Sequence, residues 1–219
     1  MKFTDAPNVA FPSYLLVRMF EGVEELNYGL AKAIRAHCTT AERAGKEPAG
    51  GGFRTGEDFL DIDATEVGQL KAMLGNAAKA YMNQALPHLY EGVERLSRNL
   101  KLDGWARIIR SRQSISPHTH EGALVTGTYY VAVPKPIQES ETTDGDLVLV
   151  NPLAEAMSND LPLPVRADLH IQVNEGMLFL HPPFLPHHVP AFEGGGERLS
   201  VSFLVRPGAG KPSGETGQR

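Results

Sequence analysis

Three histidines have the residue type, and part of the spacing, that a metal site requires. His118 and His120 flank one threonine in "SPHTHEGALVTGTYYVAVP", residues 116–134, just ahead of a run with strand character, and His187 lies in "HPPFLPHHVP". On a strand, residues i and i+2 project from the same face, so His118 and His120 can converge on one ion. His187 follows His120 by 67 residues, and it joins them only if the fold brings a late strand beside the pair.

The alternative is ordinary strand chemistry, because His-x-His pairs also occur on solvated strand faces. Two features of the context favour a metal: Pro117 constrains the entry to the pair, and "PPFLPH" places His187 in a rigid, apolar-lined turn. Imidazole suits iron, zinc, copper or nickel, and no cysteine pair supports a structural zinc site. Three neutral histidines would leave coordination positions open, which is compatible with non-haem Fe(II) and a bidentate cosubstrate.

Composition excludes several classes of protein. The 219 residues are 42% hydrophobic and 21% charged, with a net charge of −5 and no basic stripe, so a general nucleic-acid binder is not expected. The one cysteine, Cys38, excludes a disulfide framework and fits a reducing cytoplasm. The N-terminus lacks a convincing signal peptide, and no apolar run reaches the length of a membrane span. These features predict a cytoplasmic protein.

Helical periodicity dominates the first hundred residues. Apolar residues recur at helical spacing over 21–37, and a second helix is predicted to open with Asp63 and Glu66 as a capping box and to run past Tyr81. A glycine-rich loop joins these two helices. A third, short helix is predicted over 86–100, ending near Asn99.

From Trp105 onward the period changes from near 3.6 to 2. "VRADLHIQV" at 165–173 and "RLSVSFLV" at 198–205 alternate most cleanly between apolar and polar residues. Helices followed by short, closely spaced strands predict an α+β fold with an antiparallel sandwich or barrel. One domain is expected over 1–206, followed by a polar, disordered tail over 207–219. Further strands are predicted at 105–115, 124–133, 146–150 and 176–181.

The order of these motifs resembles that of the 2-oxoglutarate- and Fe(II)-dependent oxygenases, in particular a bacterial and phage branch related to prolyl hydroxylases. The resemblance covers most of residues 10–206. It implies a double-stranded β-helix (jelly-roll, cupin-like) core over about 101–206, with an N-terminal helical layer over about 1–100 packed on one sheet. The matching features are Trp105, Pro117-His118-Thr119-His120, "TGTYYVAVP" at 126–134, "GDLVLVNP" at 145–152, "NEGMLFLHPPFLPHHV" at 174–189 and "ERLSVSF" at 197–203, with "GGFRTGEDFLD" at 51–61 upstream.

The resemblance implies metal ligands. His118 and His187 match the two histidine ligands, and His120 stands where the wider superfamily has a carboxylate. This leaves open whether His120 completes the site or whether Glu121 supplies an oxygen; Glu121 ranks lower, because a regular strand would turn it to the opposite face. His181 and His188 are expected beside the ligands or on the surface.

The resemblance also implies a cosubstrate site. Arg198 matches the arginine that pairs with the distal carboxylate of 2-oxoglutarate, and Ser200 matches its helper hydroxyl. A guanidinium fork suits bidentate carboxylate recognition. Tyr129, or else Tyr130, is expected to add a hydroxyl to the same pocket, with core packing as the alternative.

The implied activity is oxygenation. Fe(II), 2-oxoglutarate and O2 would hydroxylate a substrate C–H bond and release succinate, and the glycine-rich segment 49–56 could be a lid or a plain surface loop. A cupin-type metalloenzyme that does not use 2-oxoglutarate is one alternative, and a non-catalytic metal-binding sensor domain is another. A homodimer through the helical layer is the expected assembly.

Overall fold

The computed structural model describes residues 13–43, 52–93, 100–154 and 165–208. Helices precede most of the strands along these segments. The helices are α1 (Glu24–Arg43), α2 (Thr65–Leu89) and the short α3 (Lys135–Gln138), with a 3-10 turn at Phe59–Asp61. The strands are β1 (Leu16–Met19), β2 (Phe53–Arg54), β3 (Leu100–Ile109), β4 (Ile115–His118), β5 (Val125–Ala132), β6 (Leu147–Val150), β7 (Asp168–Ile171), β8 (Met177–His181), β9 (His187–Val189) and β10 (Arg198–Pro207).

The strands form two sheets. A six-stranded sheet has the order β1-β8-β5-β10-β3-β2, and a four-stranded sheet has the order β4-β9-β6-β7. Every strand pair within them is antiparallel. The predicted α+β class is therefore confirmed.

The alternation along β10 explains how the six-stranded sheet separates two cores. Leu199, Val201 and Phe203 are fully buried against the helices, in a cluster that includes Leu70 and Leu74 of α2. We call this cluster the helix-facing core. The opposite face of the sheet meets the four-stranded sheet in an inter-sheet core that contains Tyr130, Leu147, Phe179, Leu185 and Val189.

The second helix differs from its prediction at both ends. Its N-cap is Ala64, in an extended conformation and without a side-chain cap, so the capping box at Asp63 is wrong. The helix begins at Thr65 and continues through Pro87 to Leu89. A proline so close to the C-terminal end removes a single late hydrogen bond, so the helix continues where a separate third helix was expected. The rest of that predicted helix, over 94–99, lies outside the described residues.

Two strand predictions also need correction. The stretch 165–173 forms only the four-residue β7, and Leu169 is 39% exposed because β7 pairs on one side only, at the edge of the four-stranded sheet. The stretch 105–115 divides into β3 and the start of β4, separated by a turn in which Arg112 has a φ of 67°.

The N-terminal part contributes edge strands as well as helices. The short β1 and β2 were not predicted, and β2 occupies part of the segment considered as a lid. Gly52 permits this arrangement, because its φ is 74° and a side chain there would collide with the Ile108 carbonyl.

Two further predictions concern the C-terminal tail and the absence of a membrane span. β10 extends through Pro207, and the rest of the predicted tail, from residue 209, lies outside them. Within the described ranges, no helix combines the length and apolar character needed to cross a membrane.

Candidate active site

Three histidines converge between the two sheets. His118 ends β4 and His187 begins β9, and the two are direct cross-strand partners with ring centroids 4.3 Å apart. His120 lies in the loop after β4, where its backbone N–H donates to the Pro183 carbonyl at 2.9 Å. One ligand atom from each of the three histidines lies within 4.8 Å of the others. The structure thus brings the predicted trio together, although the pair does not share a strand face as the spacing suggested.

Backbone carbonyls orient two of the imidazoles. His118 Nδ1 donates to the Ser116 carbonyl at 2.9 Å, and His187 Nδ1 donates to the Leu185 carbonyl at 3.1 Å. A carbonyl accepts only, so each Nδ1 carries the proton and each Nε2 keeps a free lone pair. Metal-binding histidines commonly have their other nitrogen held in this way.

Burial keeps the cluster neutral. It lowers the pKa of His120 to about 3 and that of His187 to about 4, and repulsion from neighbouring histidines adds to both shifts. The pKa of His118 is lowered as well, again mainly by burial. Neutral imidazoles are the form that binds a metal, so the cluster is ready to bind one at neutral pH.

The other predicted acid and histidines lie around the cluster. His181 is 2% exposed, its ring centroid lies 4.6 Å from that of His187, and burial lowers its pKa to about 3. Its Nδ1 donates to the Pro182 carbonyl at 2.9 Å, so His181 packs behind His187. His188 follows His187 on β9 and therefore projects from the opposite face. Glu121 is exposed and is not among the three clustered residues.

Arg198 lies in the same cavity as the histidines. This inner cavity is lined by the cluster together with Tyr130, Arg198 and Ser200. Arg198 is 2% exposed, and its Cζ lies 4.9 Å from the ring centroid of Tyr130. Among the described residues, neither the Arg198 Nε nor the Tyr130 hydroxyl has a hydrogen-bond partner of acceptable geometry. Ser200 is the cross-strand partner of Tyr130, so the predicted Arg198 and Ser200 do lie together.

The prediction for Tyr129 is wrong. Its side chain faces the helices, and its hydroxyl donates to Asn27 Oδ1 at 2.8 Å. Tyr130, the alternative, occupies the cavity instead. The alternation in β5 carries the signal, because Tyr129 shares its face with Val125 and Val131, whereas Tyr130 shares the face of the polar Thr126 and Thr128.

Two features beside the cluster were missed by the sequence analysis. Arg107, which the sequence analysis does not single out, lines the inner cavity and also an adjoining outer cavity of about 290 Å³. Trp105 lies between both cavities, with its ring 5.6 Å from that of His120. A larger cavity, of about 720 Å³, lies between α2 and the sheet and contains none of the predicted site residues. We therefore assign the candidate site by the chemistry of the lining side chains and not by cavity size.

The fold and the site together define a class of protein. Two facing antiparallel sheets hold a three-histidine cluster and a buried arginine in one cavity, as in a double-stranded β-helix metalloprotein. Residues 103–203 match the family model described as "Putative 2OG-Fe(II) oxygenase". The strand core is similar to this family, and the match together with the three-histidine site supports an oxygenase that uses Fe(II), 2-oxoglutarate and O2, with an unknown primary substrate. No curated protein matches the chain significantly.

Solved structures agree with this fold. A Trichoplax adhaerens prolyl hydroxylase, in complex with a hypoxia inducible factor peptide fragment, has a TM-score of 0.60 at 12% identity, covering 88% of this chain and 83% of its own. A Pseudomonas putida prolyl-4-hydroxylase has a TM-score of 0.54 at 16% identity, covering 88% and 91%. HygX from Streptomyces hygroscopicus, with nickel and 2-oxoglutarate bound, has a TM-score of 0.53 at 14% identity, covering 90% and 83%. The double-stranded β-helix prediction is confirmed.

Proposed function

We propose that the protein is a hydroxylase in which His118, His120 and His187 bind Fe(II) and in which Arg198 and Tyr130 bind the distal carboxylate of 2-oxoglutarate. Ser200, between Arg107 and Tyr130 in the register, would contribute a hydroxyl at the same end. Nε2 of His118 and of His187 would be ligand atoms, because each Nδ1 already donates to a carbonyl.

The pair of unsatisfied atoms on Arg198 and Tyr130 carries this proposal. A buried guanidinium nitrogen and a buried hydroxyl without partners each cost free energy, and a carboxylate that accepts from both would remove that cost. Their place in the cavity of the histidine cluster fits a cosubstrate with an acid at each end, one for the metal and one for the arginine. The three neutral imidazoles fit Fe(II), since their lowered pKa values leave each lone pair available.

When bound, Fe(II) and 2-oxoglutarate supply the oxidising chemistry: O2 is consumed, 2-oxoglutarate becomes succinate and CO2, and a substrate C–H bond becomes C–OH. The residues of the chain provide the geometry. Arg198 and Tyr130 fix the distance of the cosubstrate from the histidines, and the apolar inter-sheet core, with Phe179 and Leu147, excludes water from that end.

An anaerobic absorption titration tests the proposal. Apo-protein receives Fe(II), then 2-oxoglutarate, and a weak charge-transfer band in the visible range is expected only when both are present. Arg198→Met should bind Fe(II) but should need far more 2-oxoglutarate for the band. Metal binding without a band would instead favour the cupin or sensor alternatives.

The third ligand can be tested separately. His120→Ala is expected to weaken Fe(II) binding strongly, whereas Glu121→Gln is expected to leave it unchanged, because Glu121 is exposed. The opposite pattern would assign the third ligand to Glu121.

We also propose the cytoplasm as the location, and a homodimer through the helical layer as the assembly. We expect no nucleic-acid or membrane partner. Fractionation would test the location, and light scattering would test the assembly.

A further inference from the structure

The three clustered histidines are held in different ways. His118 ends β4 and His187 begins β9, and the Nδ1 of each donates to a backbone carbonyl. His120 lies in the loop after β4, where its backbone N–H donates to the Pro183 carbonyl. Its imidazole has no hydrogen bond to any of the described residues. The bond to Pro183 therefore fixes the backbone of His120 but leaves the orientation of its ring to other contacts.

Ring contacts restrain this imidazole instead. Its centroid lies 5.0 Å from that of His118 and 5.1 Å from that of His187, the other two members of the cluster. A further contact is with Trp105, whose ring centroid lies 5.6 Å away at an interplanar angle of 52°. Among the described residues, Trp105 is therefore the one aromatic side chain from outside the cluster that contacts the His120 ring.

Trp105 is itself firmly held. It is 4% exposed and lies on β3, where Ser202 of β10 is its cross-strand partner. β3 lies between β10 and β2 in the six-stranded sheet. The Cζ of Arg54, on β2, lies 4.4 Å from the centre of the Trp105 ring, a cation–π contact that restrains the indole. A side chain on a paired strand is a more rigid support than the loop that carries His120.

The orientation of an imidazole matters because it binds a metal only when the lone pair of one nitrogen points at the ion. A ring that is free to rotate must lose that freedom on binding, which lowers the affinity for the metal. Backbone carbonyls restrict the rotation of His118 and His187. A bulky ring packed against His120 restricts the orientations of this third imidazole in the same sense.

We infer that Trp105 is a positioning residue, which holds the His120 imidazole in the orientation that binds the metal. The inference rests on the proposed function, in which His120 is the third ligand. The role of Trp105 matches that of the carbonyls that orient His118 and His187, with a ring–ring contact in place of a hydrogen bond.

A double-mutant cycle with Ni(II) tests this role without any turnover. Ni(II) binds nitrogen ligands more tightly than Fe(II) does, so its affinity stays measurable after one ligand is removed. Equilibrium dialysis gives the Kd of Ni(II) for the wild type, Trp105→Leu, His120→Ala and the double variant. Trp105→Leu is expected to raise the Kd at least about tenfold, as loss of a residue that supports a metal ligand does. In the His120→Ala background the same substitution should change the Kd less than about twofold, because the ligand it positions is gone.

Two further variants separate positioning from general support of the fold. Phe203→Leu removes an aromatic ring from a fully buried position of the helix-facing core, on the strand next to β3. Urea unfolding of the metal-free protein should show a lower stability for this variant, while its Ni(II) Kd stays within about twofold of the wild type. Trp105→Phe keeps an aromatic ring beside His120 and should raise the Kd less than Trp105→Leu does. If Trp105→Leu does not fold, Trp105→Phe takes its place in the cycle, with a smaller increase that again disappears in His120→Ala.

The cycle separates failure of the inference from failure of the proposed function. An unchanged Kd in the tryptophan variant overturns the inference. An equal increase in the wild-type and His120→Ala backgrounds also overturns it, since Trp105 would then support the site as a whole. Either result leaves the proposed function intact when His120→Ala alone weakens Ni(II) binding. An unchanged Kd in His120→Ala contradicts the third ligand of the proposed function itself, and the inference falls with it.

Discussion

Tyr129 and Tyr130 are adjacent on one strand, and both are completely buried, yet their hydroxyls have opposite surroundings. The Tyr129 hydroxyl donates to Asn27, which in turn donates to Glu175 at 3.2 Å. These polar groups on the helix-facing side therefore have hydrogen-bond partners within the protein. Tyr130 lines the inner cavity, and its hydroxyl has no hydrogen-bond partner of acceptable geometry among the described residues. The comparison indicates that one face of the sheet serves stability while the other keeps its polar groups for a ligand.

The same contrast extends across the two faces of the sheet. The helix-facing core is apolar, with residues such as Leu74 and Val201 fully buried. The inter-sheet side contains buried polar residues in and near the histidine cluster, among them His181, His187 and Arg198. Burying polar groups without full hydrogen bonding is unfavourable, and functional sites are where proteins most often tolerate it.

Removal of a metal ligand should produce the largest effect. His187→Ala is expected to lower Fe(II) affinity more than about 100-fold, because loss of a residue that merely supports a ligand already costs 10- to 100-fold. Anaerobic equilibrium titration with Fe(II) measures it. His37→Ala, on the exposed surface of α1, is the matched control and should bind Fe(II) as the wild type does. Equal affinities in the two variants would remove His187 from the metal site.

Removal of the buried arginine should affect the cosubstrate and spare the metal. Arg198→Met is expected to raise the Kd of 2-oxoglutarate about 10- to 100-fold, which corresponds to a charge-assisted hydrogen bond of about 1.5–3 kcal/mol. Fe(II) affinity should stay within about twofold of the wild type, and the charge-transfer titration measures both constants. A variant that binds 2-oxoglutarate normally would show that Arg198 is structural.

The buried histidines should make the apo-protein sensitive to mild acid. The pKa values of His181 and His187, about 3 and about 4, lie below the ordinary value of about 6.5 in an unfolded chain. As the pH falls below about 6.5 the unfolded state gains protons first, so their contribution to stability is complete above that pH and declines toward pH 4. From pH 6.5 to 5.5 the two residues should lower the free energy of unfolding by about 2 kcal/mol.

Urea unfolding of the metal-free protein at several pH values measures this decline. The His181→Gln variant should show a decline smaller by about 1 kcal/mol, since His118, His120 and His187, whose pKa values are also lowered, still titrate. A free energy of unfolding that stays constant between pH 6.5 and 5.5 in the wild type would contradict the assignment of neutral, buried histidines.

Much of this site could be predicted from the sequence, because the order of its motifs resembles that of a known family. The resemblance in motif order predicts His118, His120, His187, Arg198 and Ser200 as site residues, and all of them line the inner cavity. The reason given for His118 and His120 was only partly right. Strand alternation does not bring them together, since β4 ends at His118 and a loop bonded to Pro183 positions His120.

What could not be predicted depends on tertiary pairing. The alternation in β5 groups Tyr130 with the polar Thr126 and Thr128, but which of the two faces meets the helices depends on tertiary packing. The position of Arg107 opposite Arg54 required the pairing of β2 with β3, and β2 has only two residues, too few for a periodic signal. The exposure of Leu169 required knowing that β7 lies at a sheet edge.

The smallest effects provide the sharpest comparison, because two conservative substitutions on neighbouring residues should have opposite consequences. Tyr129→Phe leaves the Asn27 oxygen without the donor it has now, so the free energy of unfolding should fall by about 1–3 kcal/mol, while the Kd of 2-oxoglutarate stays unchanged. Tyr130→Phe removes a hydroxyl that has no protein partner, so stability should be unchanged or slightly higher, and the Kd should rise about 3- to 10-fold, as for loss of one hydrogen bond of about 0.5–1.5 kcal/mol. Urea unfolding and the charge-transfer titration, applied to both variants, give a crossed pattern if the two faces of the sheet have the roles assigned to them. A Tyr130→Phe variant that is less stable but binds 2-oxoglutarate normally would place the Tyr130 hydroxyl in the scaffold and leave Arg198 as the main contact for the distal carboxylate.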